Sequence, residues 1–147
     1  MKKILMIALP LVVLVLGGAG WMLFMGGSGP DTDPTKTPGP VASLNEQFIV
    51  NLADDPAAPR FVKMGVAVRL AESSAALYTP AKGATPGALQ DEPQVRDIII
   101  STVQSRTAAA LNSERGRTAM KRELIRRINK ETELRILDVY YTDFAVQ

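Results

Sequence analysis

Residues 4–25 carry no charged side chain, and most of these 22 positions are Leu, Val, Ile, Met or Ala. A helix over this run, rising about 1.5 Å per residue, reaches about 33 Å, the thickness of a bilayer's hydrocarbon core. A helix this long and apolar on every side has no place in the core of a small domain. Trp21 and Phe24 stand near its far end, where an aromatic belt meets the headgroups. Pro10 is tolerated in a membrane helix. Lys2 and Lys3 precede the run, so the positive-inside rule puts residues 1–3 in the cytoplasm and sends the remainder across. The competing reading is a cleaved signal peptide, with an apolar region at 4–16 and small residues at Gly17-Gly18-Ala19-Gly20. The apolar run resumes at residues 21–25, which exceeds the roughly 7–15 residues of a signal's apolar region and favours an uncleaved anchor. The small residues also permit close approach of a second helix, although no clean GxxxG register is present.

The chain contains neither Cys nor His. That excludes thiol nucleophiles, disulfides, Cys or His metal sites and imidazole general bases within the chain. It also excludes a lipid-anchoring Cys. The 17 Lys and Arg against 15 Asp and Glu give a formal charge of +2, and Lys2 and Lys3 account for that excess. The rest is neutral, so no global steering toward nucleic acid is expected.

Residues 26–43 hold eight Gly or Pro among 18 positions and show no apolar period. They are expected to form an extended spacer of up to roughly 55 Å at about 3.1 Å per residue. The alternative is a segment that orders against a membrane partner. Beyond it, residues 44–147 read as one α+β domain. Leu44, Phe48, Val50 and Leu52 share a parity and predict a first strand. Asp54-Asp55-Pro56 marks a turn. Over residues 60–70, Val62, Met64, Val66, Val68 and Leu70 alternate with small or cationic residues, predicting a half-buried strand. Residues 72–91 read as a surface loop. Pro93 opens a helix expected to run to about Leu111, with Asp91 and Glu92 at the positive end of its dipole. Ser113 is the expected N-cap of a second helix, whose apolar stripe is Met120, Leu124, Ile125 and Ile128. Residues 134–147 predict a closing strand with a bulge near Thr142-Asp143. The order is β-β-α-α-β, with helices on one face of a mostly antiparallel sheet.

Residues 106–135 hold nine cations against four carboxylates. On a helix Arg115, Arg122 and Arg126 share a face, as do Arg117 and Lys121. The reading is either a solvated face with mixed ion pairs or a surface for a subunit or an anionic partner. Asp54/Asp55 and Asp91/Glu92 are adjacent pairs beside prolines, suited to turns and caps rather than to acid–base catalysis. Gly83, Gly87 and Gly116 form no phosphate-binding loop. Tyr140-Tyr141 reads as strand packing. No catalytic, cofactor or metal site is expected.

Three motifs carry a resemblance to a known family. The first is Phe48-Ile49-Val50-Asn51-Leu52 followed by Arg60-Phe61-Val62-Lys63. The second is Pro93 with Val95, Arg96-Asp97 and Ile98-Ile99, continuing through Leu111, Gly116, Lys121, Glu123-Leu124 and Ile128-Asn129. The third is the run Val139-Tyr140-Tyr141-Thr142-Asp143-Phe144-Ala145-Val146-Gln147. With the anchor and linker, the chain resembles the flagellar basal-body FliL family. It departs from the family pattern at Met120, Tyr141 and Asp143, where Leu, Phe and Glu are more usual. The resemblance implies an inner-membrane protein with a periplasmic domain of stomatin/prohibitin (SPFH-like) fold. It further implies a homo-oligomeric ring, contact with the flagellar stator subunits and basal body, and support of torque and swarming without enzymatic activity. It makes Arg96, Asp97, Arg115, Arg117, Lys121, Arg122 and Arg126 candidate oligomer or partner contacts, with Arg96 and Asp97 expected in an ion pair. A different class of function is a membrane-anchored periplasmic module that binds an anion or peptide through the Arg-rich helices.

Overall fold

The computed structural model describes residues 33–83 and 85–147. The expected membrane helix over residues 4–25 lies outside them. Among the described residues no helix is long and apolar enough to cross a membrane.

Among the described residues, six strands and three α-helices follow in chain order. β1 is Pro38–Ser43, β2 is Phe48–Asn51 and β3 is Phe61–Ala71. A 3-10 helix at Glu72–Leu77 leads to the short hairpin β4 (Tyr78–Thr79) and β5 (Ala88–Leu89). Then come α1 (Glu92–Gln104), α2 (Ala108–Asn112), α3 (Glu114–Glu131) and β6 (Ile136–Val146).

β3 is the axis of an antiparallel sheet. β2 and β1 pair in succession with the two halves of one of its edges, and β6 pairs with the other. The alternation in β3 sets the core: Val62, Met64, Val66, Val68 and Leu70 are all within 1% of complete burial. Their cross-strand partners Phe144, Tyr141, Val139 and Ile136 on β6, and Phe48 and Val50 on β2, face the same way. Val95, Ile99, Leu111, Met120, Leu124 and Ile128 complete that core from the helices.

Several expectations change in detail. Part of the segment read as linker is ordered, because residues 38–43 form β1 on the edge of β3. Edge strands tolerate the prolines at 38 and 40, since the lost N–H faces away from the ladder. The other face of β3 is not simply half-buried. Gly65 and Ala67 are buried there. Thr142 lies over Gly65, where a Cβ would strike its hydroxyl, and Tyr140 stands opposite Ala67. The bulge expected near Thr142 is present, as a register shift between Gly65–Asp143 and Val66–Tyr141. The expected loop at 72–91 is instead a 3-10 turn and a hairpin.

The helix expected to run from Pro93 to Leu111 is two helices. α1 stops at Gln104, and Thr107 adopts an extended conformation whose hydroxyl accepts from Ala110 N. Asp54 Oδ2 accepts from Ala108 N at 2.8 Å, and Ala53 N donates to the Arg106 carbonyl. The break is therefore held by the turn after β2, and Asp54 does cap a helix. Ser113 caps α3 as expected, accepting from Gly116 N at 3.0 Å.

Candidate functional site

The candidate residues divide by what each side chain touches. Arg96 on α1 is committed within the domain. Its guanidinium carbon lies 4.4 Å from the centre of the Phe48 ring, and it pairs with Glu46 at 3.5 Å and Glu92 at 3.8 Å. It therefore fastens α1 to β2 by stacking and charge together. Asp97 is exposed and makes no ion pair among the described residues. The expected Arg96–Asp97 pair is thus replaced by Arg96 with Glu92 and Glu46. Adjacent helix positions point about 100° apart, whereas Glu92 lies one turn away on the same side.

On α3, Arg126 and Glu123 form a bidentate pair with contacts of 3.0 and 2.5 Å. Sequence reasoning passed over its neighbour Arg127, which does more. Arg127 Nη1 donates to Ser101 Oγ at 2.8 Å and Thr102 Oγ1 at 2.9 Å on α1, while Nε donates to Glu131 at 2.9 Å. The Arg126 hydrogen bonds hold Glu123 below its ordinary value, and those of Arg127 do the same for Glu131.

Arg115 and Arg122 remain. Both are exposed, make no ion pair among the described residues, and line a surface depression with Glu114, Thr118 and Ala119. They lie on the face predicted for them, together with exposed Arg126.

Arg117 and Lys121 belong to another cluster, where α2 and α3 meet β6. Arg117 Nη1 donates at 3.0 Å to the carbonyls of both Leu111 and Asn112, the free end of α2. Lys121 Nζ lies 5.7 Å from the Tyr140 ring centre and 5.4 Å from that of Tyr141. Successive strand residues face opposite sides, so Lys121 reaches across the outer edge of β6. A helix lysine whose charge lies over an open strand edge discourages unwanted pairing there. Tyr140 also accepts a hydrogen bond from Arg69 Nε at 3.0 Å. Tyr141 packs on Phe144 with ring centres 5.2 Å apart, and its hydroxyl is buried without a partner. Burial raises this phenol above its ordinary value, against the opposing charges of Arg117 and Arg106. Nε of Arg106, just past α1, is likewise buried and unpartnered. The pattern of charges could not single out Tyr141 or Arg106, because the burial of each polar atom depends on tertiary packing and not on local sequence.

No group of three or more carboxylates is placed to hold a metal among the described residues. The sheet face away from the helices carries Ile49, 71% exposed, diagonal to Phe61, with Val41 further along.

Comparison with known proteins joins these features to a family. The model of the flagellar basal body-associated protein FliL family matches residues 41–147, which takes in every strand but the first residues of β1. The flagellar protein FliL of Aquifex aeolicus is 31% identical over 105 residues, a region that is 71% of this chain and 59% of that relative. The chain therefore spans well under two thirds of that relative's length. Since the family match covers most of the chain and the whole helical cap, this chain belongs to the FliL family of flagellar basal body-associated proteins.

Proposed function

We propose that the protein is a non-enzymatic component of the flagellar motor, held in the inner membrane by residues 4–25 with its α+β domain in the periplasm. In this reading the domain has the stomatin/prohibitin type of fold, assembles into a homo-oligomeric ring and contacts the stator. It supports torque and thereby swimming and swarming. The observation that carries the reading is the family match over residues 41–147. The apolar run at 4–25 supports the anchor. Exposed Ile49, Phe61 and Val41 on the uncovered sheet face support subunit contacts. Arg115 and Arg122, exposed and with no ion pair among the described residues, support a contact with an acidic partner surface.

The test is torque in single motors of cells lacking the protein, complemented with the natural chain or with Arg115→Glu/Arg122→Glu. The reading expects lower torque under high load without the protein, restored by the natural chain and not by the charge-reversed one. Unchanged torque at every load in its absence would overturn it.

A further inference from the structure

The order of residues in α3 withholds carboxylates from Arg115 and Arg122. Side chains on a helix meet those three and four positions away. Along α3 these are Thr118 and Ala119 for Arg115, and Thr118, Ala119, Ile125 and Arg126 for Arg122. Arg126 and Arg127, by contrast, find Glu123 and Glu131 at that spacing. Both unpaired arginines line a cavity of about 320 Å³ with the small Thr118 and Ala119 and one carboxylate, Glu114.

A second cavity, of about 420 Å³, lies where the start of α1 meets the end of α3. It is lined by Asp91, Glu131 and Glu133 against one cation, Lys130. Glu131 is already bonded by Arg127. Asp91 and Glu133 make no ion pair among the described residues. Asp91 stands at the N-cap of α1 with φ 58°, and its side chain accepts no capping hydrogen bond from that helix. The two cavities are thus of opposite sign, and Thr118 of the first stands about 20 Å along the α3 axis from Glu131 of the second, at roughly 1.5 Å per residue. Complementary patches at different places on one chain suit a head-to-tail contact, in which each copy offers its basic cavity to one neighbour and its acidic cavity to the other.

We propose that Arg115 and Arg122 of one copy seat on Asp91 and Glu133 of a second copy. Guanidinium forks match carboxylates bidentately, and the small side chains of Thr118 and Ala119 let the neighbour approach closely. Lys130 is exposed, so its long side chain swings into solvent as the arginines enter. This contact rests on the homo-oligomeric reading and identifies the acidic surface that Arg115 and Arg122 meet as another copy of the chain.

The test measures the mass of the full chain in mild detergent by analytical ultracentrifugation. The natural chain is expected to assemble, and to do so about ten-fold more weakly at 0.5 M than at 0.05 M salt, because salt screens exposed charges. Arg115→Glu/Arg122→Glu and Asp91→Asn/Glu133→Arg are each expected to weaken assembly ten-fold or more. Asparagine tolerates positive φ as aspartate does, so the second variant keeps the turn at 91. A 1:1 mixture of the two variants is expected to assemble again, since each then meets a neighbour of opposite charge at both ends. A variant that merely misfolds is not rescued in this way. Assembly of the natural chain that is insensitive to salt and to both variants would overturn this contact and leave the homo-oligomeric reading standing. Loss in both variants without recovery in the mixture would overturn it too. A natural chain that stays monomeric alone would overturn both, and its assembly only with stator subunits would assign the arginines to another protein.

Discussion

At the scale of single residues, the corner between α2 and α3 rests on Ser113 and Gly116. The Ser113 hydroxyl accepts from Gly116 N at 3.0 Å and donates to the Ala110 carbonyl at 2.8 Å. Removing it in Ser113→Ala is expected to destabilise the chain by about 1 kcal/mol in urea unfolding. A Cβ on Gly116 would stand on the Ala110 carbonyl oxygen, far inside van der Waals contact. The obstacle is backbone that cannot rotate away, so Gly116→Ala should cost about 2 kcal/mol or more, although alanine is the better helix former. Ser113 was legible in the sequence because a cap hydroxyl acts within one turn. The need for glycine at 116 was not, because the opposing carbonyl belongs to a different helix.

At the scale of elements, α3 is tied to its surroundings unequally by its arginines. Arg126 makes only an exposed pair with Glu123, three residues away on the same helix. Arg127 bonds two hydroxyls of α1 as well as Glu131. Arg127→Ala is therefore expected to lower stability by about 1–2 kcal/mol more than Arg126→Ala, as measured by paired denaturation curves. Glu123 and Glu131 have native values held below 4.5 by these arginines. The unfolded chain then binds more protons, so their contribution is fully present above about pH 4.5 and fades as pH falls through the native values. A modest loss of stability as pH falls below about 4.5, diminished by salt because each pair reaches solvent, is the expected result of an acid titration. Strand periodicity in β3 and the apolar stripe of α3 were readable because burial follows a fixed local period. The break at Ser105-Arg106-Thr107 was not, because it is stabilised by Asp54, more than 50 residues earlier in the chain. β1 was hidden for a related reason. Its prolines and glycine suit a linker, and only an edge position beside β3 makes them acceptable in a strand.

At the scale of the whole molecule, the domain presents three different surfaces. The helical cap carries Arg115 and Arg122, the uncovered sheet face carries Ile49 and Phe61, and the β6 edge is guarded by Lys121. A charge-reversed Arg115→Glu/Arg122→Glu chain is expected to unfold within about 0.5 kcal/mol of the natural one, since neither side chain makes an ion pair among the described residues. Loss of partner binding in that variant would then be a surface effect and not a folding defect. The motor assignment is tested most directly by purifying the full chain through a C-terminal tag from mild detergent extracts of motile cells. It predicts a large membrane assembly that contains stator subunits and loses them when Arg115 and Arg122 are reversed. A lone monomer in the soluble periplasmic fraction would contradict it.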